Sequence, residues 1–233
     1  MFKFKQFTIH QQNSAMKVCT DACLLGALTR IKSNTTILDI GTGTGLLALM
    51  LAQKDPSIHI TAIEIDDATL IDAKTNVGNC QFSDQILLVH DSIQNFSSKN
   101  NQAFDLIISN PPFFQNNLKS DDNRKNKALH DESLTLKELA DAVKKLLKPE
   151  GCFWVLLPPF EMTQFQQFAK ENGLFTQKDF SIKHNPQKNI FRKICCFGYE
   201  NSQSPETETI HIHENEMYSA RFAQLLKDYY LIF

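Results

Sequence analysis

The sequence predicts an α/β fold, with a mostly parallel seven-stranded sheet, helices on both faces and a C-terminal antiparallel hairpin. Three observations predict it. Short apolar runs alternate with amphipathic stretches as far as Glu171, the pattern of a parallel sheet covered by helices. The run Thr36–Ile40 passes through Gly41-Thr-Gly43-Thr-Gly45 into Leu46-Leu-Ala-Leu-Met50, a strand, turn and helix in succession. Beyond residue 172 two β-rich segments flank a polar turn around Asn185-Pro186.

Taken in order, the strands are expected at Thr36–Ile40, Ile58–Glu64, Ile86–His90, Phe104–Ser109 and Cys152–Leu157. Each is a near-continuous apolar run, as strands buried on both faces require. Helices are expected at Asp21–Ile31, Thr44–Lys54, Ala68–Val77, Leu134–Leu147 and Glu161–Glu171. Lys148-Pro-Glu-Gly151 reads as a turn closing the fourth of these helices before the fifth strand. Leu174–Lys183 and Ile190–Tyr199 form the hairpin, and the aromatic-rich Phe222–Phe233 forms a last helix packed back on the domain. Residues 114–132, rich in Asn, Asp, Lys and Ser, follow the fourth strand directly. They are expected to be a mobile loop at the mouth of a site, since ligands bind beyond the carboxyl ends of strands in open α/β sheets.

The 233 residues suffice for one domain with a sizeable core. A formal net charge of −2 argues against a generally basic, nucleic-acid-binding surface. One local run departs from this: Lys183, His184, Lys188, Arg192 and Lys193 occur with no acid among them, a candidate phosphate contact. No stretch reaches the roughly 18 apolar residues of a membrane span. Met1–Phe7 interleaves Lys with Phe, unlike a signal peptide. A cytoplasmic protein without membrane contact is expected. The six cysteines form no C-x-x-C pair and no zinc-spaced Cys/His cluster, so no metal is expected and the thiols read as reduced, including Cys19 and Cys23 on one helix face. His211 and His213, alternating in an extended segment, carry no metal signature either.

The glycine turn reads G-x-G-x-G, with Leu46 where a dinucleotide fingerprint has its last glycine. Glycines there allow positive φ and close approach of a ligand to the main chain. Asp39 stands just before the turn, where it would repel a pyrophosphate and can pair with a cationic ligand or orient the loop. Glu64 ends the next strand, where an acid can accept both ribose hydroxyls. Asp91 ends the third, where it can accept from an adenine amine. Three acids behind one glycine turn describe a site for a nucleoside without phosphates.

The fourth strand runs into Asn110-Pro111-Pro112-Phe113. Proline fixes its own φ, lacks an N–H and restrains its predecessor, so this turn is stiff and rich in acceptors. The Asn110 carboxamide oxygen and the Pro111 carbonyl are suited to an amine conjugated to an aromatic ring or a carbonyl. Accepting its hydrogens draws the nitrogen towards tetrahedral geometry and frees its lone pair. Phe113 offers a face on which an extruded base can stack.

Asp39-Ile-Gly-Thr-Gly-Thr-Gly45 together with Asn110-Pro-Pro-Phe113 resembles the class I, Rossmann-like amino-methyltransferases. More narrowly, Phe7-Thr-Ile-His-Gln11 and Ala15-Met-Lys-Val-Cys-Thr20-Asp21-Ala-Cys-Leu-Leu-Gly26 resemble the opening of the tRNA(Val) adenine-N6-methyltransferase family. Tyr218-Ser-Ala-Arg-Phe and Leu225-Leu-Lys-Asp-Tyr-Tyr-Leu231 resemble its close. The resemblance implies methyl transfer from S-adenosyl-L-methionine to N6 of the adenine 3′ of the anticodon, on a tRNA partner, by a monomeric enzyme. It implies a single domain over residues 1–233, with 1–35 contributing to the cofactor site and 174–233 forming the C-terminal hairpin and helix. Cofactor contacts are expected from Thr20 and Asp21 at the methionine end, from Asp39, Gly41, Thr42, Gly43 and Gly45, from Glu64 and Ile65 at the ribose, from Asp91 and Ser92 at the adenine, and from Asn110. Thr20-Asp21 also reads as an N-cap. Asn110, Pro111 and Phe113 are the expected catalytic set, and Arg124, Lys125, Lys127, His130, Lys188 and Arg192 the expected RNA contacts.

Other readings stand beside this one. Adenine in ribosomal RNA or DNA needs the same site. Relatives acting on glutamine amides carry a helical domain before the glycine turn, where this chain has 38 residues before Asp39. A nicotinamide-dependent oxidoreductase is disfavoured by Leu46, and an inactive RNA-binding module by the intact Asn-Pro-Pro-Phe.

Overall fold

In the computed structural model, which describes residues 1–14, 16–100, 104–112 and 134–233, eight strands form one central sheet in the order β10-β8-β9-β7-β6-β3-β4-β5. The strands are β3 (Thr36–Ile40), β4 (His59–Glu64), β5 (Ile86–His90), β6 (Phe104–Ser109), β7 (Leu147–Leu157), β8 (Phe175–Lys183), β9 (Ile190–Gly198) and β10 (Glu206–His211). β9 alone runs antiparallel to its neighbours; the other pairings are parallel. Two small pairs stand outside the sheet, β1 (Phe2–Lys3) with β2 (Thr8–Ile9) and β11 (His213–Glu214) with β12 (Met217–Tyr218).

Alternate residues of the central strands feed two apolar layers, as the two-residue period of a strand dictates. Ile37, Leu106 and Trp154 pack on one face with α1 (Thr20–Leu28) and α2 (Leu46–Ala52). Leu38, Ile107 and Phe153 pack on the other with α4 (Ile93–Lys99), α5 (Leu136–Leu146) and α6 (Pro159–Glu171). α3 (Asp67–Gly78) lies beside β4 and β5, and α7 (Ala220–Leu226) beside α1 and β10. Local chemistry starts these helices. Thr135 and Glu138 close a reciprocal capping box on α5, whose Leu139, Val143 and Leu146 face the sheet. Pro159 occupies the first turn of α6, where its missing N–H costs nothing.

Five expectations need correction. The sheet has an eighth strand, β10, in a segment whose Glu-Thr-Glu-Thr alternation buries Ile210 alone, as befits an edge strand. α4 escaped notice because its apolar anchors are just Ile93 and Phe96. Lys148–Gly151 is not a free turn but a bulge within β7, between the pairs Phe104–Leu147 and Leu106–Cys152. α1 stops at Leu28, three residues short of Ile31. The final helix ends at Leu226, after which Tyr230 bridges to Phe4 and the rings of Phe2, Phe4, Phe222 and Phe233 surround it; aromatic packing overrides helical continuation.

The six cysteines are unbridged, and no cluster of His, Cys, Asp or Glu suited to a metal occurs among the described residues. No helix among them is long and apolar enough to cross a membrane.

Candidate active site

A cavity of about 500 Å³ opens at the carboxyl ends of β3, β4, β5 and β6. Its floor is the glycine turn. Gly41, Gly43 and Gly45 have φ of 67°, 59° and 81°, in the left-handed region where a side chain is strained. Added Cβ atoms at Gly41 or Gly43 would meet nothing within 4 Å, so both glycines look onto open space. The Thr42 N–H donates to the Ile63 carbonyl at 2.8 Å and ties the turn to β4. Its hydroxyl donates to Asp39 Oδ2 at 2.6 Å.

Asp39 is fully buried, and its Oδ1 has no partner among the described residues. Burial pushes this carboxyl from 3.8 up to about 7, the Thr42 hydrogen bond opposing and the Glu64 charge adding to the rise. An orphaned buried oxygen beside a ligand turn is suited to a cation or a donor from the ligand.

Glu64 is satisfied by main chain. Its Oε2 accepts from Gly43 N–H at 2.8 Å, and its Oε1 from Ile65 and Asp66 N–H at 2.9 Å each. The carboxylate thereby fixes the spacing between the glycine turn and the end of β4, and each oxygen keeps capacity for a hydroxyl. Asp91 Oδ1 accepts from Ser92 N–H at 2.9 Å and the Asn95 amide at 2.6 Å, while Ser92 caps α4. Ile40, Ile63, Ile65 and Ile93 supply apolar walls between these acids.

Asn110 closes the far wall, with Pro112 beside it. The preceding Ser109 is buried and donates to the Ile40 carbonyl at 2.8 Å, locking the end of β6 to β3. Asn110 Oδ1 is inaccessible to water and has no hydrogen-bond partner among the described residues. Pro111 is buried behind it. Phe113 lies outside the described residues, as do Arg124, Lys125, Lys127, His130 and the whole 114–132 loop.

Gly41, Gly43, Glu64, Ile65, Asp91, Ser92 and Asn110 thus line one cavity, with Asp39, Thr42 and Gly45 supporting it from beneath. Thr20 and Asp21 do not line it. Cys19 holds the N-cap of α1, Thr20 is its first residue, and the Thr20 hydroxyl meets that of Tyr230. Asp21 Oδ2 lies 3.0 Å from Arg192 Nε in a largely buried ion pair. Arg192 is therefore neutralised by Asp21 of α1, far away in the sequence, and Lys193 by Asp179 on the neighbouring strand of the hairpin, at 2.6 Å. Lys188 is exposed.

The sequence implied a contribution from residues 1–35 without naming the residues that form one wall of the cavity. Asn13, Ser14 and Met16 line the cavity from the N-terminal segment. That segment is held by two polar residues of α3. Asp72 accepts from both N–H groups and both side chains of Asn13 and Ser14, at 2.7 to 2.9 Å. Burial works to raise the Asp72 carboxyl; these donors overcome it and leave it below the usual range. Asn76 pairs with the His10 main chain through both N–H and C=O and donates to the Thr44 carbonyl of the glycine turn. The polar run Gln11-Gln-Asn-Ser14 before the first helix was the available signal.

Comparison with known proteins gives the family and the fold. Residues 20–164 match the family model of the methyltransferase small domain. The chain belongs to that family. Within it, a Dyadobacter fermentans protein named tRNA1(Val) (adenine(37)-N6)-methyltransferase is 42% identical, covering 100% of this chain and 98% of its own length. A protein of the same name from Pseudoalteromonas translucida is 40% identical over 99% of this chain and 98% of its own. Among solved structures, a predicted O-methyltransferase from Agrobacterium tumefaciens superposes with a TM-score of 0.68 at 15% identity, covering 89% of this chain and 96% of that one. A Pyrococcus furiosus methyltransferase gives 0.60 at 18% identity, covering 83% and 89%. These structural likenesses establish the Rossmann-like methyltransferase fold.

Proposed function

We propose that this methyltransferase transfers the methyl group of S-adenosyl-L-methionine to N6 of adenine 37 in tRNA1(Val). The observation that carries the reading is Asn110, which lines the same cavity as Glu64 and Asp91 and whose Oδ1 is a buried acceptor without a partner among the described residues. The names of full-length relatives at 42% and 40% identity support the substrate.

The residues present fit the cofactor. Glu64 would hold the ribose hydroxyls, Asp91 and Ser92 the adenine, and the open faces of Gly41 and Gly43 the chain joining ribose to the amino acid. The orphaned Asp39 Oδ1 suits a hydrogen bond from the cationic end, direct or through the turn. Bound there, the cofactor supplies an electrophilic methyl on a sulfonium. Asn110 would accept one N–H of the target amine through its carboxamide oxygen, and the Pro111 carbonyl would accept the other. Together they pull the nitrogen out of conjugation. The stiff Asn-Pro-Pro turn holds the amine where its lone pair meets the methyl in line, the positioning that supplies much of the rate. Forming the C–N bond would break the S–CH3 bond, leave its electron pair on sulfur as a neutral thioether, and make the amine cationic, so that it would release its proton to water. Basic residues 124, 125, 127 and 130, with Lys188, are assigned to RNA contact; Arg192 acts through its pair with Asp21.

The test is transfer of labelled methyl from S-adenosyl-L-methionine into unmodified tRNA1(Val), followed by nucleoside analysis. Label in N6-methyladenosine at position 37 supports the reading. Label absent there, but present in ribosomal RNA, DNA or a glutamine amide, replaces the substrate and keeps the chemistry.

A further inference from the structure

The carboxyl edge of the sheet continues past the cavity. Ser109 pairs with Val155, Leu157 with Lys193, and Lys183 with Ile190. β9 is antiparallel to both β7 and β8, so the turn joining β8 to β9 leaves the sheet at the edge where Asn110 follows β6. Between them β7 ends in Pro158-Pro159-Phe160. From β6 to β8 is three strand spacings, about 14 Å. That is the rise of about four stacked bases at 3.4 Å each.

The side chains along this edge share one chemistry. Phe160 is 70% exposed, although it is a large aromatic in the first turn of a helix. Two prolines before it stiffen the chain leading into the helix, and the ring stands out from that start. On the hairpin, the exposed ring of His184 lies flat on Phe191, centroids 4.0 Å apart and planes 6° from parallel. Lys183 donates to the Pro186 carbonyl within the turn, which leaves its charge in place, and Lys188 is exposed. Arg192 lies 5.7 Å from the Phe191 ring on the buried side, paired with Asp21, and so braces the stack. Residues 182–193 contain no acid; Glu161 adjoins Phe160.

Flat apolar faces alternating with lysines match unpaired nucleotides, whose bases stack and whose phosphates carry the charge. A duplex hides its base faces, and a protein partner has no need of planar platforms spaced between cations. We propose that this edge is a binding site for the single-stranded nucleotides flanking the target base, with Phe160 and the His184–Phe191 pair as stacking platforms and Lys183 and Lys188 as phosphate contacts. The proposal rests on the RNA reading above. It adds a second, non-catalytic grip that positions the loop while Asn110 holds the amine.

The experiment has two arms. In the first, Phe160→Ala, Phe160→Tyr and Lys183→Gln/Lys188→Gln are assayed for methylation of unmodified tRNA1(Val), with KM for RNA, KM for cofactor and kcat measured separately. Phe160→Ala should raise KM for RNA roughly tenfold, the effect of one lost stacked base. KM for cofactor and kcat at saturating RNA should stay unchanged, and Phe160→Tyr should restore the wild-type value. The double lysine variant should flatten the salt dependence by about 0.7 per lost phosphate contact. In the second arm, binding of a fluorescent single-stranded RNA oligonucleotide is followed by anisotropy without catalysis; Phe160→Ala and the double lysine variant should each weaken it, and Phe160→Tyr should bind as the wild type does. Methylation of tRNA with RNA KM, salt slope and oligonucleotide affinity all unmoved would overturn the edge and leave the function standing. Oligonucleotide binding that depends on Phe160 without any tRNA methylation would uphold the edge and overturn the substrate. Failure to bind the oligonucleotide at all would overturn the edge.

Discussion

The two walls of the cavity are built on opposite principles. On one side Glu64 takes three main-chain N–H groups, and Asp91 takes two donors of its own neighbourhood. On the other Asn110 Oδ1 is buried with no partner among the described residues, and beneath the turn Asp39 Oδ1 is in the same position. A satisfied carboxylate can hold a ligand that comes and goes while keeping its own geometry. An unsatisfied buried acceptor is costly until a donor arrives. The molecule therefore holds the Glu64 and Asp91 side of the cavity through satisfied carboxylates and leaves unmet hydrogen-bonding capacity at Asn110 and Asp39, the division that the proposed reading requires.

The comparison breaks most visibly at Asn110. Asn110→Ala should lower kcat by about 100- to 1,000-fold, the scale for removing one aligned polar group from a transition state. Cofactor affinity by calorimetry should be nearly unchanged. Equal losses of binding and turnover would mean that Asn110 shapes the wall instead of holding the amine.

Next comes the rigid side. Gly45→Ala places a side chain at φ 81°, with Val77 Cγ2 3.6 Å from the new Cβ. Such strain costs about 1–3 kcal/mol, so denaturant unfolding should show a loss of that size. Unchanged stability would mean the turn relaxes without left-handed geometry.

Asp39 sharpens the comparison through pH. Its folded carboxyl titrates at about 7, above its ordinary 3.8, so the folded protein holds this proton more tightly than the unfolded chain. The ligand-free protein should lose stability as pH rises from about 4 towards 7. A cationic ligand prefers the carboxylate, so its affinity should rise across the same window by up to about tenfold per pH unit. Asp39→Asn should flatten both profiles. A wild-type affinity independent of pH between 5 and 8 (order-of-magnitude window from the same linkage) would remove Asp39 from cofactor recognition.

The smallest effect is expected at the N-terminal wall. Asp72→Ala releases Asn13 and Ser14, and should weaken cofactor binding by roughly fivefold, about 1 kcal/mol for hydrogen bonds to a half-buried strap. Turnover at saturation should change little. A loss in kcat without one in KM would place this strap in the chemical step.

How far the sequence reached differs between these parts for definable reasons. β3, β4 and β6 were legible because strands buried on both faces must be apolar, β5 because it is an apolar run although it is an edge strand with Leu87 exposed, and Glu64, Asp91 and Asn110 were legible because each stands where such a run ends. The edge strand β10 and the short helix α4 were not, since neither buries enough to leave a period. Asp72 and Asn76 read as the polar face of an amphipathic helix, and no local pattern marks a polar residue whose partners come from another segment.

The sequence alone determined the parallel α/β order, the G-x-G-x-G turn, the acids at the ends of β4 and β5 and the acceptor turn after β6. All of these depend on neighbours within a few positions, on strand burial, glycine φ and proline restraint. The tertiary structure alone decided which charges survive. It set Arg192 against Asp21 and Lys193 against Asp179, leaving Lys183 and Lys188 on the hairpin edge. It also folded residues 10–14 down on Asp72 and Asn76 as a wall of the cavity. Coulomb attraction and hydrogen bonding act across space, and the spacing of residues along a chain holds no record of which distant partners the sheet order will bring within 3 Å (the order of a hydrogen bond).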